Sequence, residues 1–157
     1  MIIREARPED IEQILVLTNA VADKHGRARP DILAEHPYHI TQKKLERNML
    51  SDNHRLIVAD EGTKIIGVIL CSIRSYVGDI KYRNARVISI EDTYVDTDFR
   101  RKGIGRIMLD YIKELAKRIG CSRLESNVWA FNRESEKFFE ANGFDIQKMT
   151  MECSIDE

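Results

Sequence analysis

The sequence predicts an α/β fold in which a mixed β-sheet carries helices on both faces. Apolar residues recur at helical spacing in some segments and form short runs bounded by turn residues in others. These segments follow one another in the order β-α-α-β-β-β-α-β-α-β-β, which mixes hairpins with crossover connections. The 157 residues fit a single domain, which we take as residues 1–157.

The first half of the chain supplies two predicted helices and three strands. Pro8 suits the first position of a helix, Thr41 can cap a second one, and Glu61-Gly62 forms a hairpin turn. Between the helices the periodicity fails from residue 23 to residue 41, which indicates a long loop. The predicted elements are a strand over 2–6, a helix from 8, a short helix over 41–50, and strands over 55–60 and 64–76.

The second half contains the strongest helical pattern of the chain. Seven apolar residues form one stripe over residues 103–119, and Gly120 follows as a C-terminal cap. The other predicted elements are strands over 87–96 and 122–128, a short helix from the cap Asn132 to Gly143, and one or two strands within 144–155.

Composition excludes several classes of protein. The formal net charge of −1 argues against a general nucleic-acid binder. The three cysteines lack CxxC spacing, and no clustered metal-ligand set is present, so we expect neither a disulfide framework nor a metal. The longest apolar stretch, 65–73, is too short to cross a membrane, and charges at residues 4 and 5 argue against a signal peptide. We therefore expect a cytoplasmic protein without a membrane partner.

A basic turn with two glycines precedes the strong helix. The first turn of a helix has unpaired N–H groups and a partial positive charge, and glycine lets a bulky anion approach the backbone. Cationic side chains add to this potential, and together these features predict a phosphate cradle. They are Arg100, Arg101, Lys102 and Arg106, around Gly103 and Gly105. A basic helix start without a ligand is one alternative. A nucleic-acid contact by Arg-Arg-Lys, which no other basic cluster supports, is the second.

Two adjacent carboxylates, Glu91 and Asp92, lie within a strand that is otherwise rich in Val and Ile. A regular strand sends neighbouring side chains to opposite faces, and a buried, unpaired carboxylate is costly. A bulge, a cleft or a partner must therefore relieve one of them. One carboxylate could act as a general base, and simple solvation or a buried ion pair is the alternative.

These motifs resemble those of the GNAT (general control non-repressible related) N-acetyltransferase superfamily. Arg100, Gly103 and Gly105 match its motif A, Q/R-x-x-G-x-G/A, in register. Residues 127–132 and 136–144 resemble its motif B, with an asparagine, a helix and a terminal Gly-Phe. The resemblance covers nearly the whole chain and is sharpest over residues 87–144.

The resemblance implies a GNAT-type sheet with a splayed central cleft that binds acetyl-CoA as cosubstrate. In such proteins the pantetheine arm pairs with the motif A strand, and the pyrophosphate lies on the N–H groups that open the following helix. The motif B asparagine, here Asn132, reaches the pantetheine region, and capping its own helix is the alternative or additional role. The residues assigned to the cofactor are Thr93, Val95, Arg100, Arg101, Lys102, Gly103, Ile104, Gly105, Arg106 and Asn132.

The resemblance also implies direct acetyl transfer to a primary amine, without an acyl-enzyme. The strand around Glu91 resembles that of spermidine/spermine N-acetyltransferases, where the matching glutamate is the base, so Glu91 is favoured over Asp92. The family's tyrosine that protonates the leaving thiolate is replaced by Phe139. Tyr94, water or unassisted departure of the thiolate remain as alternatives, and a strand N–H near Tyr94 would polarise the thioester carbonyl.

The acceptor is the least defined part of this prediction. The His- and Arg-rich segment 23–39 could line its pocket, and a solvated surface loop is the alternative. Polyamines, aminoglycosides, amino acids, peptide N-termini and lysine side chains all remain open as acceptors, and so does a homodimer. Two rival functions share the fold: a non-catalytic acyl-CoA-binding or sensing protein, and a structural protein that has lost the cofactor.

Overall fold

A computed structural model of the protein describes residues 1–34 and 40–155. Its five strands are β1 (Ile2–Glu5), β2 (His54–Asp60), β3 (Ile65–Ser75), β4 (Arg86–Val95) and β5 (Arg123–Ser126). They form one sheet in the order β1-β2-β3-β4-β5. Neighbours from β1 to β4 are antiparallel, whereas β4 and β5 are parallel. The predicted mixed sheet is therefore confirmed.

The helices are α1 (Ile11–Ala28), α2 (Gln42–Met49), α3 (Ile104–Arg118) and α4 (Arg133–Glu140). The prediction that helical order fails at residue 23 was wrong, because α1 continues to Ala28. Ala22 and Gly26 lie four residues apart on its buried face, where small side chains suffice. Residues 35–39, which belong to the predicted acceptor loop, lie outside the described part of the chain.

Helices cover both faces of the sheet, as predicted. The first face carries Val58 and Val68, which cluster with Ile14 of α1 and Leu45 of α2. The second face carries Gly67, which is paired with Ala59 and lies close to Met108 of α3. Because side chains alternate along a strand, the residues next to Val58 and Val68 point to the opposite helix layer.

The N-terminal strand is tied to the sheet by a cluster of charged groups. The Arg4 guanidinium donates to Asp10 at 2.7 Å and lies 2.8 Å from Asp60. The hydrogen bond from Arg4 holds the pKa of Asp10 below its usual range, although burial opposes this shift. Asp10 also accepts a 2.7 Å hydrogen bond from the Arg7 N–H, so its buried carboxylate has partners for both oxygens.

The chain forms two compact units, Met1–Asn127 and Val128–Glu157. The first contains the sheet and α1 to α3, and the second contains α4. The structure places no strand among the described residues 144–155, so the predicted last strands were wrong. A strand needs a neighbour for its backbone hydrogen bonds, and the described part of the second unit offers no second strand.

No helix within residues 1–34 and 40–155 combines the length and the apolar character that a membrane span requires.

Candidate cofactor cleft and acetyl-transfer site

The sheet opens between β4 and β5. Their parallel pairing runs from Val87–Arg123 to Ile90–Ser126, where β5 ends. β4 continues for five more residues to Val95, still paired with β3 on its other edge. The segment 91–95 therefore runs past the end of β5, which is where the predicted cofactor cleft would begin.

A β-bulge lies where the cleft begins. Leu70 of β3 pairs with Asp92, and the next residue, Cys71, pairs with Ile90. Glu91 is thus the extra residue of the bulge, which bends the strand and re-aims its side chains. The side chain of Glu91 is exposed, whereas Asp92 is half-buried. The bulge leaves the Glu91 carboxylate exposed to solvent, so the two adjacent carboxylates need not both be buried in the sheet.

The bulge also sets which side chains share a face. Asp92 and Tyr94 lie opposite Leu70 and Val68, which belong to the cluster beneath α1 and α2. Thr93 and Val95 alternate with them and therefore face the α3 side. The hydroxyl of Thr93 is buried and makes no hydrogen bond within the described structure.

Cys71 lies beside the bulge but does not present a nucleophile. Its side chain is buried, and burial raises the pKa of the thiol far above its usual range, with the negative charge of Glu91 adding to the shift. The thiolate is the reactive form of cysteine, so this residue stays inert at neutral pH. This agrees with the expectation that no covalent cysteine intermediate forms.

The turn after β4 is organised by Asp96. Its backbone N–H donates to Ile66 O at 2.8 Å, and its side chain accepts from the Asp98 N–H at 3.0 Å. Arg100, the first residue of the predicted cradle, folds back onto the strand. Its Nε donates to Val95 O at 3.0 Å, and its guanidinium lies 5.3 Å from the centre of the Tyr94 ring. Arg100 therefore joins the strand end to the turn.

Two residues of the turn adopt the left-handed backbone conformation. Gly103 has φ 77°, and a Cβ added there would meet no atom within 4 Å. Arg101 has φ 60°, the one positive value outside glycine among the described residues. Left-handed backbone costs a residue with a Cβ about 1–2 kcal/mol, and such strain concentrates at functional sites. Where left-handed residues stand next to residues with negative φ, successive N–H groups can turn toward one point and form an anion-binding hollow.

The N-terminus of α3 completes the cradle. Gly103 caps the helix without a side chain, and the first hydrogen bond from the helix to this cap joins Ile107 N–H to Gly103 O at 3.1 Å. The N–H groups of Ile104, Gly105 and Arg106 consequently have no acceptor within the helix. Their dipoles and the positive helix end favour an anion here.

Cationic side chains surround this helix start. Arg101, Lys102 and Arg106 are exposed to solvent. The Lys102 ammonium lies 4.9 Å from the centre of the Phe99 ring, and Arg106 makes a long 4.0 Å ion pair with Asp110. Every predicted residue of the segment 100–106 thus lies in one continuous turn and helix start.

Two contributors to this region carried no signal in the sequence. Gly67 permits the close approach of α3, because a Cβ there would lie 2.8 Å from Met108 Sδ and 3.3 Å from Tyr94 O. Lys64, from the turn between β2 and β3, forms a 2.6 Å ion pair with Asp96. Both contacts join residues far apart in the chain, so local patterns could not reveal them.

Apart from Asn127, the motif B residues belong to the second unit. Asn132 accepts a 3.3 Å hydrogen bond from the Ser135 N–H and so caps α4. Helix capping was one of the two roles predicted for this residue. Phe139 packs against Phe138 and Phe144, with ring centres 5.2 and 5.0 Å apart. Gly143 follows the helix with φ 85°.

Residues 18–144 match the acetyltransferase (GNAT) family. The chain belongs to this family. Its α/β fold with a five-stranded mixed sheet agrees with the GNAT fold that the resemblance implied.

Solved structures of other proteins share this fold. The BH1408 protein of Bacillus halodurans, solved by X-ray as a tetramutant, superposes with a TM-score of 0.93 at 26% identity, covering 99% of this chain and 100% of that one. The aminoglycoside N-acetyltransferase AAC(6')-Iy, solved with CoA, shares the fold with a TM-score of 0.71 at 20% identity, and each chain is covered to 99%.

Among curated proteins, an uncharacterized N-acetyltransferase of Methanocaldococcus jannaschii is 28% identical over 101 residues. That match covers 64% of this chain and 43% of the relative, so the chain spans less than half of that protein's length.

Within residues 1–34 and 40–155, no group of three or more His, Cys, Asp or Glu side chains is placed to hold a metal ion.

Proposed function

We propose that the protein is an acetyl-CoA-dependent N-acetyltransferase that acetylates a primary amine by direct attack in a ternary complex. The observation that carries this proposal is the anion cradle at the start of α3, directly beyond the strand segment that runs past β5. A cleft that leads to a phosphate-binding helix end suits a long ligand with a pyrophosphate at one end and a thioester at the other.

The cofactor residues follow from this arrangement. The N–H groups of Gly103, Ile104, Gly105 and Arg106 would hold the pyrophosphate, and the side chains of Arg101 and Lys102 would add charge. Arg100 would support the cradle from within, since it is already bonded to Val95 O. The backbone of residues 93–95 would pair with the pantetheine arm. In the second unit Asn132 caps α4, and it stays a predicted cofactor-binding residue.

Acetyl-CoA supplies a thioester whose carbonyl carbon accepts the amine. The acceptor nitrogen must first lose its ammonium proton, and Glu91 is the carboxylate proposed to take it, directly or through water. The exposed position of Glu91 at the bulge gives it access to an incoming amine. Asp92, half-buried on the α1 side, is the second candidate. A backbone N–H near Tyr94 would stabilise the developing oxyanion.

The reaction then forms the amide C–N bond and breaks the C–S bond, and the electron pair passes to sulfur. As the tetrahedral intermediate collapses, the attacking nitrogen loses its second proton to solvent, and the thiolate takes a proton from Tyr94, from water or from bulk solvent after release. Phe139 has no proton to donate at the position where the family's tyrosine is expected. The side chain of Tyr94 is half-buried beneath the Arg100 guanidinium, which fixes the orientation of its ring.

The acceptor is proposed to be a small molecule or a peptide amine. AAC(6')-Iy acts on aminoglycosides, as its name states, and aminoglycosides therefore belong in the acceptor panel for this protein. We further propose that residues 1–157 act as one N-acetyltransferase domain in the cytoplasm, without nucleic-acid or membrane partners and without a metal. A homodimer is compatible with this proposal.

Calorimetric titration with CoA and acetyl-CoA tests the binding half of the proposal. Saturation at 100 times the dissociation constant should also stabilise the fold by about 2.7 kcal/mol. A folded sample that shows neither heat nor a thermal shift at millimolar acetyl-CoA would refute the proposal. The same sample, mixed with amines and a thiol reagent, tests turnover.

The amine panel separates catalysis from sensing. Tight binding without thiol release over polyamines, aminoglycosides, amino acids and peptides would favour the non-catalytic acyl-CoA-binding alternative. Phe139 is the best support for that alternative, and Glu91 argues against it. Release of CoA thiol in step with a new amide, detected by mass spectrometry, establishes the transferase.

A further inference from the structure

Lys64 makes a long-range contact with the turn that leads into the cradle. It lies just before β3, and its ammonium group reaches Asp96, 32 residues later in the chain, at 2.6 Å. The Asp96 side chain is 13% exposed, against 50% for Lys64, so the carboxylate is the more enclosed partner. The hydrogen bond from Lys64 lowers the pKa of Asp96, and the Asp98 N–H adds to this effect.

Asp96 connects this contact to the backbone of the turn. Its second carboxylate oxygen accepts from the Asp98 N–H at 3.0 Å, and its carbonyl oxygen accepts from the Phe99 N–H at 2.9 Å. Its own N–H is bonded to Ile66 O at 2.8 Å, two residues after Lys64. Lys64 thus fixes one oxygen of a carboxylate whose other oxygen shapes the turn that precedes Arg100 and Gly103.

The charges around Phe99 indicate how Lys64 acts. Its ring centre lies 5.8 Å from the Lys64 ammonium and 4.9 Å from that of Lys102. The charge of Lys64 is compensated by Asp96, whereas Lys102 has no carboxylate among the ion pairs of the described residues. Of the two ammonium groups, that of Lys102 is therefore the one whose positive charge could bind a phosphate.

We propose that Lys64 is a positioning residue for the pyrophosphate cradle, acting through Asp96 rather than by touching the ligand. This inference rests on the proposed function. The ion pair between Lys64 and Asp96 holds the turn 96–103 in the conformation that presents the N–H groups at the start of α3. An exposed ion pair adds little to folding stability, so its effect should be seen in cofactor affinity rather than in the melting temperature.

The test measures CoA affinity by calorimetry and the KM for acetyl-CoA with the best amine. Lys64→Met should raise the dissociation constant for CoA and the KM for acetyl-CoA, each about 5- to 30-fold, because it removes a hydrogen bond between charged groups that orders the binding loop. The kcat should change by less than about twofold, and Lys64→Arg should restore most of the affinity. The matched control is Lys117→Met, which removes an equally short 2.6 Å ion pair with Glu114 in the last turn of α3.

A double-mutant cycle with Asp96→Asn separates the indirect role from direct contact. If Lys64 acts through Asp96, the two single changes should weaken binding alike and the double variant should be no worse than either. Additive losses would show that Lys64 touches the ligand and would overturn the inference. Unchanged affinity in Lys64→Met, or a variant that no longer folds, would also overturn it. Failure of the wild-type protein to bind CoA would instead refute the proposed function.

Discussion

Replacing Gly103 separates the backbone contribution of the cradle from its electrostatic one. The residue has φ 77°, and a Cβ would meet no atom within 4 Å, so Gly103→Ala introduces strain without a clash. The left-handed conformation costs about 1–2 kcal/mol, and the lower entropy of the unfolded chain returns about 0.4–1 kcal/mol. We expect a net loss of about 1 kcal/mol in the free energy of unfolding, or about 2–4 °C in melting temperature.

The effect of charge on CoA affinity is isolated by comparing Gly103→Asn with Gly103→Asp, because the two new side chains have nearly the same size. Asn and Asp both tolerate the left-handed region, so the two variants should be similarly stable. A carboxylate on the order of 5 Å from one phosphate charge adds about 1–3 kcal/mol of repulsion near a protein surface. The dissociation constant for CoA should therefore be about 10- to 100-fold higher for Asp than for Asn, and the gap should narrow in high salt.

Gly120 provides the matched control for this series. It ends α3 with φ 73°, and its Cβ position is equally empty. Gly120→Asn and Gly120→Asp should cost similar stability and leave CoA affinity unchanged, as measured by calorimetry at two salt concentrations. Equal CoA affinity in the Asp and Asn variants of Gly103 would refute the placement of the pyrophosphate at this helix start.

Three further predictions concern the chemistry and the fold. Glu91→Gln should lower turnover about 10²- to 10⁴-fold with CoA affinity intact, and the loss should shrink at high pH; full activity at neutral pH would assign the base elsewhere. Tyr94→Phe should be damaging if its hydroxyl protonates the thiolate, whereas Phe139→Tyr should be tolerated; a normal rate in Tyr94→Phe excludes that role. The pKa of Asp10 is lowered by its hydrogen bond with Arg4. Its stabilisation is therefore present above the ordinary value of about 3.9 and is lost as pH falls through the folded value. The free energy of unfolding of Asp10→Asn, measured by denaturant titration at acid pH, should lack this pH-dependent loss. The same pH dependence in the variant and the wild-type protein would contradict the prediction.

Local features of the sequence predicted much of the cradle. Arg100 and Gly103 lie in the turn before a strongly amphipathic helix, and Gly105 lies in the first turn of that helix. Their predicted roles depend on neighbours a few residues away. Thr41 likewise caps α2 through a hydrogen bond to a residue three positions later, 3.2 Å from its hydroxyl. Such contacts are readable because chain connectivity alone brings the partners together.

The sequence was less informative where small residues line the buried face of a helix. It was also less informative where a segment forms a strand only by pairing with a strand distant in the chain. Ala22 and Gly26 extend the buried face of α1 although neither is strongly apolar, so the predicted end of helical order came too early. One or two strands were predicted within residues 144–155, yet a strand forms only with a neighbour to pair with. Propensity did not supply that information.

By itself, the sequence determined which residues could bind an anion and which carboxylates could act as a base. Only the tertiary structure decided that β5 ends at Ser126 and opens the cleft, that Glu91 occupies a bulge opposite Leu70 and Cys71, and that Lys64 reaches Asp96. The physical reason is that register and long-range ion pairs depend on how separate segments pack. Packing is set by the sum of many contacts across the sheet rather than by any one stretch of residues.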